Sequence, residues 1–129
     1  MKFGWGDHFA QEDKQRLAAI RCAIGPEIRL MVAFGCPAFF SSGVSPKSAA
    51  RIAKTLEEYD VYFLEEPLPP FDAEGHAELA KEAKTFIATG EMLCHKYEFN
   101  RFFDRHAVDV IHPRLPNRSH AVPSRSPAR

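Results

Sequence analysis

Short apolar runs alternate with helix-patterned segments along this chain, and that alternation limits its fold more than any other feature. Leu17, Ile20 and Ile24 recur at helical spacing between Glu12 and Ile24, and Gly25-Pro26 supplies a stop. Ile28 to Val32, bounded by Pro26 and Gly35, is short enough to be a buried strand. Ser45-Pro46, a capping hydroxyl followed by proline at the first helical position, opens a helix through about Glu58. Val61 to Leu64 then reads as a strand, Asp72 to Ala83 as a helix and Phe86 to Ala88 as a strand. Lys96 to about Arg105 is the next helix and Val108 to Ile111 the next strand. Strands separated by helices mean βαβ units, hence a parallel sheet with right-handed crossovers.

A chain of 129 residues has room for one core and little else. Seventeen basic residues balance seventeen acidic ones, so nothing in the overall charge suggests nucleic acid, a membrane surface or a polyanionic partner. Any function has to come from a local site. Cys22, Cys36 and Cys94 are odd in number and lack CxxC spacing, which argues against a disulfide framework and a structural zinc site and for a reducing cytoplasm. No apolar run approaches the roughly 20 residues that span a bilayer, and the N-terminus has no signal-peptide core, so neither export nor anchoring is expected. Neither GxxxxGK nor GxGxxG is present, which counts against nucleotide binding by a parallel sheet.

Parallel α/β folds gather their functional groups at the carboxyl ends of the strands. Those positions hold Ala33, Glu65, Gly90-Glu91 and His112-Pro113-Arg114. Two carboxylates leaving adjacent strands at one rim repel each other unless a cation lies between them, and hard oxygen ligands suit Mg²⁺. Glu65 and Glu91 are therefore candidate metal ligands. On spacing alone the plainer reading, exposed loop glutamates near helix N-termini, is preferred. Cys94-His95 read as a packed thiol and a surface imidazole, and Phe99, Phe102 and Phe103 as core residues at helical spacing.

Three motifs in order shift that balance. Tyr62-Phe63-Leu64-Glu65-Glu66-Pro67-Leu68, then Ile87-Ala88-Thr89-Gly90-Glu91, then Val108-Asp109-Val110-Ile111-His112-Pro113 resemble successive strand ends of the mandelate racemase and muconate lactonising group of the enolase superfamily. The similarity runs from Lys2 to about Pro113 and is close to the acid-sugar dehydratase branch. It implies part of a (β/α)8 barrel, about strands two to six, with an open parallel α/β sheet as the alternative. It also implies Mg²⁺ as cofactor, a small carboxylate or sugar acid as substrate, and proton abstraction next to the substrate carboxylate through an enediolate, by a lyase or racemase. In that family three carboxylates at successive strand ends hold the metal. Two match Glu65 and Glu91, whereas Ala33 stands where the first, an aspartate, is expected, and a methyl group cannot coordinate a cation. Glu66 matches a second acid of the motif that is not a ligand. Lys2-Phe3-Gly4 resembles the end of a Lys-x-Lys motif and makes Lys2 the candidate base, with a solvated N-terminal lysine left open as the alternative. Arg114 stands where an aspartate often follows the proline, and His112 reads as a polar strand-end residue.

A complete barrel needs roughly 250 residues. Residues 1–113 are accordingly expected to form a partial barrel domain, inactive alone, lacking the later strands and the capping domain. Its two unpaired sheet edges point to a homo-oligomer or to aggregation. A non-catalytic α/β module that binds a partner or itself is the rival reading. Residues 114–129, rich in proline and arginine and without periodicity, are expected to be disordered and to stem from a shifted reading frame.

Overall fold

The structure, a computed structural model, describes residues 1–4, 11–34 and 44–114. Within them run β1 (Lys2–Gly4), α1 (Gln11–Ile24), β2 (Leu30–Ala33), α2 (Pro46–Glu57), β3 (Val61–Glu65), α3 (Ala73–Glu82), β4 (Phe86–Thr89), α4 (Lys96–Phe103) and β5 (Val110–Ile111). The strands form one sheet in the order β1-β2-β3-β4-β5, with every neighbouring pair parallel. This is the alternating α/β architecture read from the sequence. Cys36 and the segment from 115 onward lie outside the described residues, and so does the frameshift expectation attached to that segment.

Local chemistry explains the helix starts. Ser45 Oγ accepts a hydrogen bond from the Ser48 N–H at 3.2 Å, and Pro46 opens α2 without leaving a donor orphaned. Asp72 caps α3 by accepting from the Gly75 N–H at 2.8 Å. Its carboxylate lies so close to Gly75 that a Cβ there would collide with it. Glu98 reaches back to accept from the Cys94 and His95 N–H groups, both at 2.7 Å, and fixes the entry to α4.

Four strands differ from their expected bounds. Residue 28 is not in β2: Ile28 is 49% exposed, and its carbonyl accepts from Arg21 at 2.9 Å rather than from a neighbouring strand. β2 begins at Leu30 and runs through Ala33, so Ala33 ends the strand instead of following it. β5 is shorter than Val108 to Ile111 because the Asp109 carboxylate takes the Ile87 N–H at 2.8 Å, a donor that a longer ladder would use. β3 and β4 each extend one residue further than expected, to Glu65 and Thr89.

Helices cover one face of the sheet. Leu30, Val32, Leu64 and Ile87 from the strands pack with Leu17, Ile52, Leu56 and Leu79 from the helices, all buried. Each of these side chains removed from water contributes about 2 kcal/mol of transfer free energy. Ala73, Ala77, Leu93, Phe99 and Phe102 make a smaller cluster. Phe103, expected in the core, is 47% exposed and belongs to neither cluster. Alternation along the strands sends Met31, Ala33, Phe63, Glu65 and Ala88 to the opposite face. There Phe86 is left 44% exposed, whereas Ile111, level with Thr89, belongs to the helix side of the sheet and is 42% exposed.

Candidate functional site

On that second face, at the carboxyl ends of the strands, Lys2, Glu65, Glu91, His112 and Arg114 line one cleft of about 350 Å³ with Ile111 and Pro113. Register places them. Gly4, Ala33 and Glu65 stand opposite one another across β1, β2 and β3, and Lys2, two residues before Gly4, shares their face. The β1 strand is itself tied down: the Met1 carbonyl accepts from the Met31 N–H at 2.8 Å, and the terminal ammonium donates to the Arg29 carbonyl at 2.6 Å. Lys2 is therefore strand-borne, with its side chain 48% exposed.

Glu65 is 3% exposed and is the centre of the cluster. One oxygen, Oε2, forms an ion pair with the Lys2 ammonium. The other, Oε1, accepts from His112 Nδ1 at 2.6 Å, which fixes Nδ1 as the protonated ring nitrogen, and the imidazole packs edge-on against Phe63 at 5.0 Å. Glu91, at the end of β4, meets the Arg114 guanidinium at 3.1 Å. Both members of that pair are half-exposed, so solvent weakens it more than the pair at buried Glu65.

Glu66 is turned the other way and builds the segment that carries Glu91. It is buried, sits at φ 52°, and its Oε1 accepts from Thr89 Oγ1 at 2.9 Å, Gly90 N at 2.9 Å and Glu91 N at 3.2 Å. Gly90, at φ 130°, leaves no room for a side chain: a Cβ would lie 2.9 Å from the Phe99 ring and 3.3 Å from the His112 nitrogen. Spacing alone did not reveal Glu66, His112 or Arg114 as parts of the site. The strand-end rule that singled out Glu65 and Glu91 already contained His112 and Arg114, and the doubled acid was the only sign of Glu66.

The donor set does not amount to the three-carboxylate magnesium centre. In its favour, Glu65 Oε2 is buried and accepts no hydrogen bond beyond its ion pair with Lys2. Against it, Ala33 offers a methyl group directly opposite Glu65, and both carboxylates already carry a side-chain cation. Among the described residues no group of three or more His, Cys, Asp and Glu side chains is placed to hold a metal ion. Nor is any described helix long and apolar enough to cross a membrane.

Comparison with known proteins agrees with the strand-end motifs. A family model described as enolase C-terminal domain-like matches residues 1–118. L-talarate/galactarate dehydratase of Salmonella typhimurium is 35% identical over 116 residues, which cover 90% of this chain and 28% of that protein. D-xylonate dehydratase of Haloferax volcanii is 38% identical over 98 residues, 76% of this chain and 22% of the other. Among solved structures, L-talarate dehydratase from Polaromonas sp. JS666, complexed with Mg and L-glucarate, superposes with a TM-score of 0.83 at 30% identity. It covers 94% of this chain, which in turn covers 32% of it. A racemase from Streptomyces coelicolor A3(2) with bound magnesium gives 0.78 at 28% identity, over 87% of this chain and 30% of its own. The chain thus spans less than a third of these relatives, and its sheet is part of a barrel rather than a complete one.

Proposed function

The chain belongs to the enolase C-terminal domain-like family, and from that premise we propose that it carries the rim of a sugar-acid dehydratase or racemase in a form that does not turn over substrate alone. Glu65 and Glu91 are the counterparts of two magnesium-binding carboxylates, and Lys2 holds the position of the base. The parent reaction is Mg²⁺-assisted removal of a proton next to a substrate carboxylate. The observation that carries this reading is the convergence of Lys2, Glu65, Glu91, His112 and Arg114 on one cleft at the carboxyl ends of parallel strands. Inactivity follows from the same residues. Ala33 removes one anionic ligand, and a Lys2 ammonium paired with Glu65 has no lone pair with which to take a proton. Free, exposed Cys22 and Cys94 support a reducing compartment, which we take to be the cytoplasm.

Calorimetric titration of Mg²⁺ into this chain and into Ala33→Asp, with circular dichroism as the folding control, tests the proposal. It predicts no saturable heat for the parent and a saturable one for the variant, because an aspartate at 33 would stand directly opposite Glu65. No binding by either folded protein would mean that Glu65 and Glu91 do not face a common cation, and the reading would fail.

A further inference from the structure

We propose that Lys2 and Arg114 occupy, in charge if not in place, the role of the divalent cation, and that the small side chain of Ala33 is what permits it. This rests on the preceding reading of Glu65 and Glu91 as cation-facing carboxylates. The relation between Lys2 and Glu65 is an unusual one. They lie on β1 and β3, so two strand spacings, about 10 Å of backbone, separate them, and β2 runs between. The β2 residue level with Glu65 is Ala33. Its side chain stops at Cβ, and the lysine passes over it to reach Glu65. A carboxylate at 33 would lie nearer to Lys2 than Glu65 does and would intercept the ammonium.

Among the described residues the charges close without a metal. Glu65 and Glu91 contribute two negative charges, and Lys2 and Arg114 return two positive ones, each through a direct ion pair. His112 adds a hydrogen bond to Glu65 at 2.6 Å. Glu65 is almost wholly buried, so leaving its charge unpaired would be far more costly than at the surface. A divalent ion bridging the cleft has to displace Lys2 to gain Glu65 and Arg114 to gain Glu91. The replacement of an acid by Ala33 and the arrival of Arg114 beside Glu91 are thus one change: a metal-bridged rim has become an ion-paired rim.

The test is thermal unfolding of the full chain with increasing MgCl₂ against an ionic-strength-matched NaCl series. It is run on the parent, on Lys2→Met, on Arg114→Gln, on the double variant and on Ala33→Asp. Lys2→Gln or Arg114→Met takes the place of any variant that does not keep the parent circular dichroism spectrum. The proposal predicts a parent midpoint that follows the NaCl control. It predicts a double variant that melts lower without Mg²⁺ and recovers with it, with an apparent Mg²⁺ affinity at least about tenfold above the parent's. A saturable, Mg²⁺-specific rise in the parent equal to that of the double variant overturns it. So does a silent double variant beside a responsive Ala33→Asp, which would leave the reading of the carboxylates standing. Silence in every variant would remove that reading and this proposal together.

Discussion

His76 is fully buried in α3, a residue that neither the cleft nor its chemistry uses. Its Nδ1 donates to the Asp72 carbonyl at 2.7 Å, while Nε2 is buried with no hydrogen-bond partner and the ring meets Phe102 edge-on at 5.3 Å. Burial holds its pKa below the ordinary histidine value of 6.5, against smaller opposing effects from the Asp72 hydrogen bond and the charges of Glu66 and Asp72. The folded chain therefore binds its proton less readily than the unfolded chain does. Between the two pKa values the unfolded state holds more protons, so stability rises with pH there and is lost as pH falls from about 6.5. Urea unfolding at pH 7.5 and pH 5.5 should show the parent losing more stability at the lower pH than His76→Leu loses. Equal losses would mean that His76 is not the group responsible.

Elements are held where the sequence is least informative, at the ends remote from the cleft. The Arg21 guanidinium, from α1, donates to four carbonyls: Tyr59 at 2.9 Å and Asp60 at 2.7 Å in the turn before β3, and Gly25 and Ile28, each at 2.9 Å, in the turn before β2. Arg21→Met keeps the aliphatic stem and loses all four bonds. Because the carbonyls can partly rehydrate, a cost of about 2 kcal/mol is expected in chemical denaturation; a change within experimental error would show that the two turns do not depend on it. The same side chain explains why β2 starts later than its apolar run suggests. Helix starts at Ser45 and Asp72 are legible because the cap and its donor are three residues apart. The bounds of β2 and β5 are not, since they depend on Arg21 and on an Asp109 carboxylate that meets Ile87 22 residues away. At the site, Glu65 and Glu91 follow from strand ends and motif order. The partner of Glu65 does not: the lysine lies two strands away, and only the register brings it over Ala33.

For the molecule as a whole, the two sheet faces tell different stories. The helix-covered face holds the packed core, whereas the other face carries the charged cleft and exposed Phe86. β1 and β5 are the sheet edges among the described residues, and unpaired edges bind other strands. Sedimentation over a concentration series should accordingly show self-association, and a monomer at every concentration would remove the expected homo-oligomer. In the cleft, Lys2 and Arg114 pair with Glu65 and Glu91, the carboxylates proposed to face a cation in the family. Anomalous diffraction at the manganese edge, from crystals of the chain and of Ala33→Asp grown with Mn²⁺, looks at that point directly. No manganese is expected between Glu65 and Glu91 in the parent and a peak is expected there in the variant; a fully occupied peak in the parent, with Lys2 and Arg114 displaced, would mean that the rim still binds metal.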